Sequence, residues 1–150
     1  MTTRLLLAIG QRAAGDDGVG PAVLDRVRAL GLPGGVDARE LGDPSALVAL
    51  LDGASRAVIV DAIVSDPAGR VVTATPEQLA VRAAPMSSHG LGVADALALA
   101  RALSPRTTCA DVVVVGVTIT RPRGLAVGLS DEVSRAVDEA ARAALAQLEA

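Results

Sequence analysis

The sequence predicts an α/β fold: a three-layer sandwich in which a mostly parallel, twisted sheet of about five strands carries helices on both faces. Three observations lead there. Leu5 to Ile9, Ala57 to Val60 and Asp111 to Val117 contain short, nearly continuous apolar runs, the pattern of strands covered on both sides. Between them lie stretches whose apolar residues recur at helical spacing. Glycine and proline punctuate the joints. The chain is read as one domain, residues 1–150, and that length is enough to bury a sizeable core.

Each element follows in order. Leu5-Leu6-Leu7-Ala8-Ile9 is a strand ended by Gly10. After Gly15-Asp16-Asp17-Gly18, a helix carries Val19, Ala22, Val23, Val27 and Leu30, with Pro21 tolerable in its first turn. Gly31, Pro33, Gly34 and Gly35 stop it, and Val36 to Leu41 is a weaker strand. Asp43-Pro44 starts a helix through Leu47, Val48, Leu50 and Leu51, ending at Gly53. The strand Ala57 to Val60 runs directly into Asp61. Gly69 to Thr75 is a strand nearer an edge, followed by a loop with Pro76, Pro85 and a short Glu77-Gln78-Leu79 turn. Ser87-Ser88-His89-Gly90 introduces a helix carrying Leu91, Ala94, Leu97, Ala98 and Leu99. The last helix is capped by Ser130, with Asp131 and Glu132 at its positive end. Its buried stripe is Val133, Ala136, Val137, Ala140, Ala144, Leu145 and Leu148.

Composition removes several function classes. A net charge of −3 gives no electrostatic reason to expect nucleic acid. Phe, Trp and Tyr are absent, so base stacking and aromatic cages are excluded, and any protein interface relies on aliphatic and Arg anchors. There is no Lys, which excludes a Schiff-base or P-loop lysine. The single cysteine, Cys109, cannot form an internal disulfide or a thiolate zinc cage, and it reads as a small buried hydrophobe in a cytoplasmic protein. The N-terminal apolar run is too short for a membrane span and lacks a cleavage pattern, so no membrane association is expected.

The acidic turn Gly15-Asp16-Asp17-Gly18-Val19-Gly20 organises the rest. Its glycines run G-x-x-G-x-G, and its carboxylates would repel a pyrophosphate, which argues against a nucleotide module and favours a cation. In doubly wound folds ligands bind beyond the carboxyl ends of the strands, where the winding reverses. A strand order beginning 2-1-3 makes the first and third strands neighbours there, so Asp17 and Asp61 face one crevice. His89, the one histidine, precedes a helix on the same rim. Two carboxylates and an imidazole suit a divalent transition metal and leave positions open. The bland alternatives are capping by Asp16 or Asp17, a turn role for Asp61, and a solvated or capping His89. A hydrolase built on Ser87 or Ser88 with His89 is disfavoured, because there is no G-x-S-x-G elbow.

Taken together, Gly15 to Val23 (Gly-Asp-Asp-Gly-Val-Gly-Pro-Ala-Val), Val58-Ile59-Val60-Asp61-Ala62, Ser87-Ser88-His89-Gly90-Leu91 and Gly128 to Val133 resemble the hydrogenase maturation proteases. The motifs occur in order over nearly the whole chain. The resemblance implies a phosphorylase/hydrolase-like sandwich and a cytoplasmic endopeptidase. That enzyme removes the C-terminal extension of a nickel-iron hydrogenase large-subunit precursor after nickel insertion, with nickel as the recognition element. Asp17, Asp61 and His89 match the family's metal-binding positions. They would complete the coordination of nickel supplied by the precursor, and another divalent transition metal could occupy the isolated site.

Asp16 is a candidate by position for activating the attacking water, with a metal-bound water as the alternative. The first loop has Gly10-Gln11 where the family usually has Gly-Asn. Gly116-Val117-Thr118 stands where the family commonly has a Glu-Pro pair after the last core strand. These departures leave the three metal positions intact. They motivate a second reading, a non-catalytic metallochaperone or precursor-binding protein on the same fold. The expected partner in either case is the precursor, with the protein itself favoured as a monomer.

Overall fold

The computed structural model describes residues 3–82, 92–121 and 127–150. Five strands form one sheet in the order β2-β1-β3-β5-β4: β1 Thr3–Ile9, β2 Val36–Leu41, β3 Ala54–Val64, β4 Val71–Ala74 and β5 Val112–Ile119. β1 pairs in parallel with β2 and β3, and β3 with β5, while β4 closes one edge antiparallel to β5. The helices are α1 Val19–Leu30, α2 Leu47–Leu50, α3 Pro76–Arg82, α4 Val93–Leu103 and α5 Asp131–Glu149. The expected mostly parallel sheet and its 2-1-3 beginning are both present.

Alternation along the strands divides the core into two layers. Leu6, Ala8, Val58, Val60, Val115 and Val117 pack on one face with Val19, Val23, Leu24 and Val27 of α1 and with the Ala-rich stripe of α5. Leu5, Leu7, Ile9, Ala57, Ile59 and Val114 pack on the other with Leu47, Leu51, Ala96, Leu97 and Cys109. A strand flanked by both layers has no solvent side, which is why its sequence shows no polar alternation.

Several elements differ from the sequence reading. β3 does not stop at Asp61 but runs on to Val64, because β5 continues alongside it and pairs Ala62 with Val117 and Val64 with Ile119. The turn expected at Glu77 is a seven-residue helix, α3. Thr75 and Gln78 form a capping box: the Gln78 N–H donates to Thr75 Oγ1 at 3.2 Å and the Thr75 N–H to Gln78 Oε1 at 2.9 Å. Pro76 then takes the first helical position, where its missing N–H costs nothing. In α4 the buried residues are Ala96, Leu97 and Ala100, whereas Ala94, Ala98 and Leu99 face outward, with Leu99 44% exposed. Leu24, absent from the expected stripe of α1, is fully buried, while Val137 and Leu145 of α5 are only half-buried.

Candidate active site

The winding reverses between β1 and β3. β1 leads through α1 on one face, and β2 returns through α2 on the other. The last β1–β3 pair is Ala8 with Val60, so Asp61 is the first β3 residue past the paired part of β1, level with its terminal residue Ile9. It still pairs with Gly116 of β5 on its other side. The short 3-10 turn Gly15–Gly18, which carries Asp16 and Asp17, packs against β3. Topology therefore brings the acidic turn and Asp61 to one end of the sheet, at the switch point where open α/β sheets bind ligands.

Asp17 is 5% exposed, a buried carboxylate. Burial of that kind requires hydrogen-bond partners. Its Oδ2 accepts the Gln11 N–H at 2.9 Å. The Gln11 side chain in turn donates to the Gly42 carbonyl at 2.8 Å, and the Gly10 N–H to the Leu41 carbonyl at 3.0 Å, so the loop after β1 is tied to the end of β2. Gly10 itself, at φ +150, sits against the Asp17 peptide: a Cβ there would lie 2.0 Å from the Asp17 carbonyl oxygen. Arg12 holds the outside of the same loop. Its guanidinium forks to Asp25 of α1 (2.7 and 3.0 Å) and to Glu40 of β2 (2.6 Å). That fork raises the Arg12 pKa and lowers that of Asp25.

Asp61 is half-buried, and its Oδ1 accepts the Ala62 N–H at 2.8 Å. Strand alternation puts it on the face of Ala57 and Ile59, the side covered by α2 and α4. Each of the two carboxylates is thus oriented by a backbone N–H. A carboxylate has about four lone-pair sites, so such a bond is compatible with a further cation contact. His89, with Ser87 and Ser88, lies outside the described residues. Among the described residues, no three His, Cys, Asp or Glu side chains cluster as a metal site.

Ala14 and Gly18 hold the N-cap positions of the 3-10 turn and of α1, so neither acid of the turn occupies an N-cap position. Asp16 instead reaches the start of α5. Its Oδ1 accepts the Ser130 N–H at 2.7 Å and its Oδ2 the Ser130 hydroxyl at 2.8 Å. Ser130 occupies the N-cap position of α5 as expected, but its side chain makes no cap bond. Gln11 and Ser130 are the contacts that sequence reasoning did not assign. One acts through its backbone, and the other lies 114 positions from its partner.

Comparison with known proteins decides the family. The model of the hydrogenase maturation protease family (HycI) matches residues 41–147. The chain belongs to the hydrogenase maturation proteases. The protein FrxA of Pyrococcus furiosus is 34% identical over 129 residues, covering 84% of this chain and 90% of that one. The [NiFe] hydrogenase maturation protease HybD of Thermococcus kodakarensis is 30% identical, with a TM-score of 0.76 over 95% of this chain and 97% of its own. The hydrogenase maturating endopeptidase HybD of E. coli shares the fold at a TM-score of 0.80 and 24% identity, over 99% and 93% of the two chains. This maturation protease is accordingly a peptidase on an α/β scaffold, and none of its described helices is long and apolar enough to cross a membrane.

Proposed function

We propose that this maturation protease removes the C-terminal extension of a nickel-iron hydrogenase large-subunit precursor after nickel insertion, in the cytoplasm. Asp17, Asp61 and His89 would engage the nickel that the substrate brings. The observation that carries the reading is the placement of Asp61 level with the end of β1, on the strand against which the acidic turn packs. The segment between α3 and α4, to which His89 belongs, joins two elements that pack on the face from which Asp61 projects. A hard-to-borderline donor set of two carboxylates and one imidazole suits a divalent nickel ion already held by the precursor. Cleavage is hydrolysis: the water oxygen bonds to the scissile carbonyl carbon, the C–N bond breaks, and a proton passes to the departing amine. The chain's contribution is to hold the nickel-bearing region still so that the scissile peptide is presented to water in one orientation.

The test is intact-mass spectrometry of the nickel-loaded precursor incubated with the protein. A C-terminal peptide should be lost only when nickel is present, and Asp61→Ala or His89→Ala should abolish that loss while leaving the far-UV circular dichroism unchanged. Normal processing by either variant refutes the assignment. Tight binding of the loaded precursor without any mass change would support the precursor-binding alternative instead.

A further inference from the structure

We infer that Asp16 is a positioning residue: it latches the acidic turn to the start of α5 through Ser130 and thereby sets the placement of Asp17. The inference rests on the site reading above and adds a residue to it. Both Asp16 oxygens take hydrogen bonds from one residue, the Ser130 N–H at 2.7 Å and the Ser130 hydroxyl at 2.8 Å. Bonds to an ionised acceptor are shorter and stronger than neutral ones, and two from a single partner fix orientation as well as distance.

Ser130 departs from its local role to make this contact. A serine at an N-cap normally accepts an N–H from the first turn, an interaction worth about 1 kcal/mol. Here that side-chain bond is absent and the hydroxyl donates to Asp16 instead. The Asp16 carboxylate compensates, because it brings a negative charge to the positive end of a nineteen-residue helix.

A single peptide unit separates Asp16 from Asp17, and Asp17 is held on its other flank by the Gln11 N–H at 2.9 Å. The turn is short and internally closed, with the Asp17 N–H bonded to the Ala14 carbonyl at 3.2 Å and the Ala14 N–H to Gln11 at 3.0 Å. Displacing Asp16 therefore moves the Asp17 peptide and loosens the Gln11 bond. The buried α1–α5 contact holds the two helices together without this latch, through Val23, Leu24, Val27, Ala140, Ala144 and Leu148. Losing the latch should therefore disturb the turn more than the fold.

The experiment compares Asp16→Ala, Asp16→Asn and Ser130→Ala by kcat and KM on the nickel-loaded precursor, and by amide hydrogen exchange at Gln11. Asparagine keeps an acceptor for the Ser130 N–H and a donor for its hydroxyl but cannot take up a proton as a base. A latch predicts that Asp16→Ala lowers kcat about tenfold or more, with KM changed by less than about twofold. It predicts that Asp16→Asn retains turnover to within about threefold, and that Gln11 exchanges about tenfold faster in Asp16→Ala and measurably faster in Ser130→Ala. Loss of turnover in Asp16→Asn equal to that in Asp16→Ala overturns the inference in favour of carboxylate chemistry at Asp16. Wild-type turnover and unchanged Gln11 exchange in Asp16→Ala overturn it outright. Gln11 exchange is read without substrate, so an unprocessed precursor with wild-type protein counts against the proposed function alone, and the latch is still tested.

Discussion

Replacing Gly20 by Ala sets two physical effects against each other, and the structure decides the sign. Gly20 is the second residue of α1, in its first turn, and is buried. In an unconstrained helix interior, Gly→Ala stabilises by up to about 1 kcal/mol through backbone entropy. Here a Cβ at position 20 would lie 2.3 Å from the Ile9 carbonyl oxygen and 3.1 Å from the Ile9 nitrogen. An ordinary carbon–oxygen contact requires roughly 1 Å more, so α1 or the end of β1 must give way. Neither neighbour is a flexible side chain; both are main chain in the layer that also buries Val19, Val23 and Leu24. Overpacking of that kind costs about 1–3 kcal/mol, and somewhat more against backbone. Subtracting the propensity gain leaves a net loss of about 1–3 kcal/mol, or a fall in Tm of about 3–10 °C for a chain of this size. The same shift moves the Gly15–Gly18 turn, which leads directly into α1, so processing should fall about tenfold or more. Gly34→Ala is the control, since a Cβ there meets nothing within 4 Å and its effect should stay within about 0.5 kcal/mol. Differential scanning calorimetry of the two variants checks the argument. A Gly20→Ala protein that melts higher than wild type would show that helix propensity wins and that α1 does not approach Ile9 this closely.

The Arg12 fork predicts a pH-dependent difference. Arg12 holds the Asp25 carboxyl below its usual value near 3.8. A depressed folded-state pKa gives stability that is complete above the unfolded value and lost as pH falls through the folded one. Arg12→Ala should therefore be less stable than wild type by at most about 1 kcal/mol above pH ~5, since both pairs are exposed, and the gap should close towards pH ~2. Urea titrations at pH 7, 4 and 2.5 measure it, and a gap that widens on acidification refutes the assignment. Cys109 is 2% exposed, its thiol contacts the Asp111 carbonyl at 3.4 Å, and burial pushes its pKa up. Alkylation by iodoacetamide at pH 8 should accordingly track global unfolding in urea, with no labelling of the native protein over hours. Rapid native labelling would contradict that burial.

What the sequence revealed, and what it concealed, follows from the range of the interactions involved. The strands β1, β3 and β5 could be read because both of their faces are covered, so Leu5 to Ile9 and Ala57 to Val60 carry no polar residue. The sequence alone makes β3 look short because Asp61 resembles a strand terminus. The ladder continues past it only because Val117 to Ile119 of β5 are there to pair with it, a fact of tertiary structure. The buried face of α4 is hard to read from the sequence for a different reason. Ala94, Ala98 and Leu99 are as apolar as the buried Ala96, Leu97 and Ala100, so the helical period had little polar contrast to act on. The helix α3 was within reach, since Thr75-Pro76-Glu77-Gln78 is a capping box with proline at the first helical position.

That the acidic turn and Asp61 come to one end of the sheet is legible from chain order alone. A loop that follows one buried strand and the carboxyl-side half of its neighbour share one end of the sheet wherever the winding reverses between those strands, whatever the intervening sequence. Asp16 illustrates the limit of local reading. Local grammar treats it as a helix-start acid and Ser130 as an ordinary N-cap, and both assignments are reasonable for isolated segments. Folding brings the two together across 114 positions, and a charged acceptor facing both donors of Ser130 outcompetes the cap that serine would otherwise make for its own helix. The residue that short-range rules assign to one helix is, in the folded chain, the link between the acidic turn and another helix.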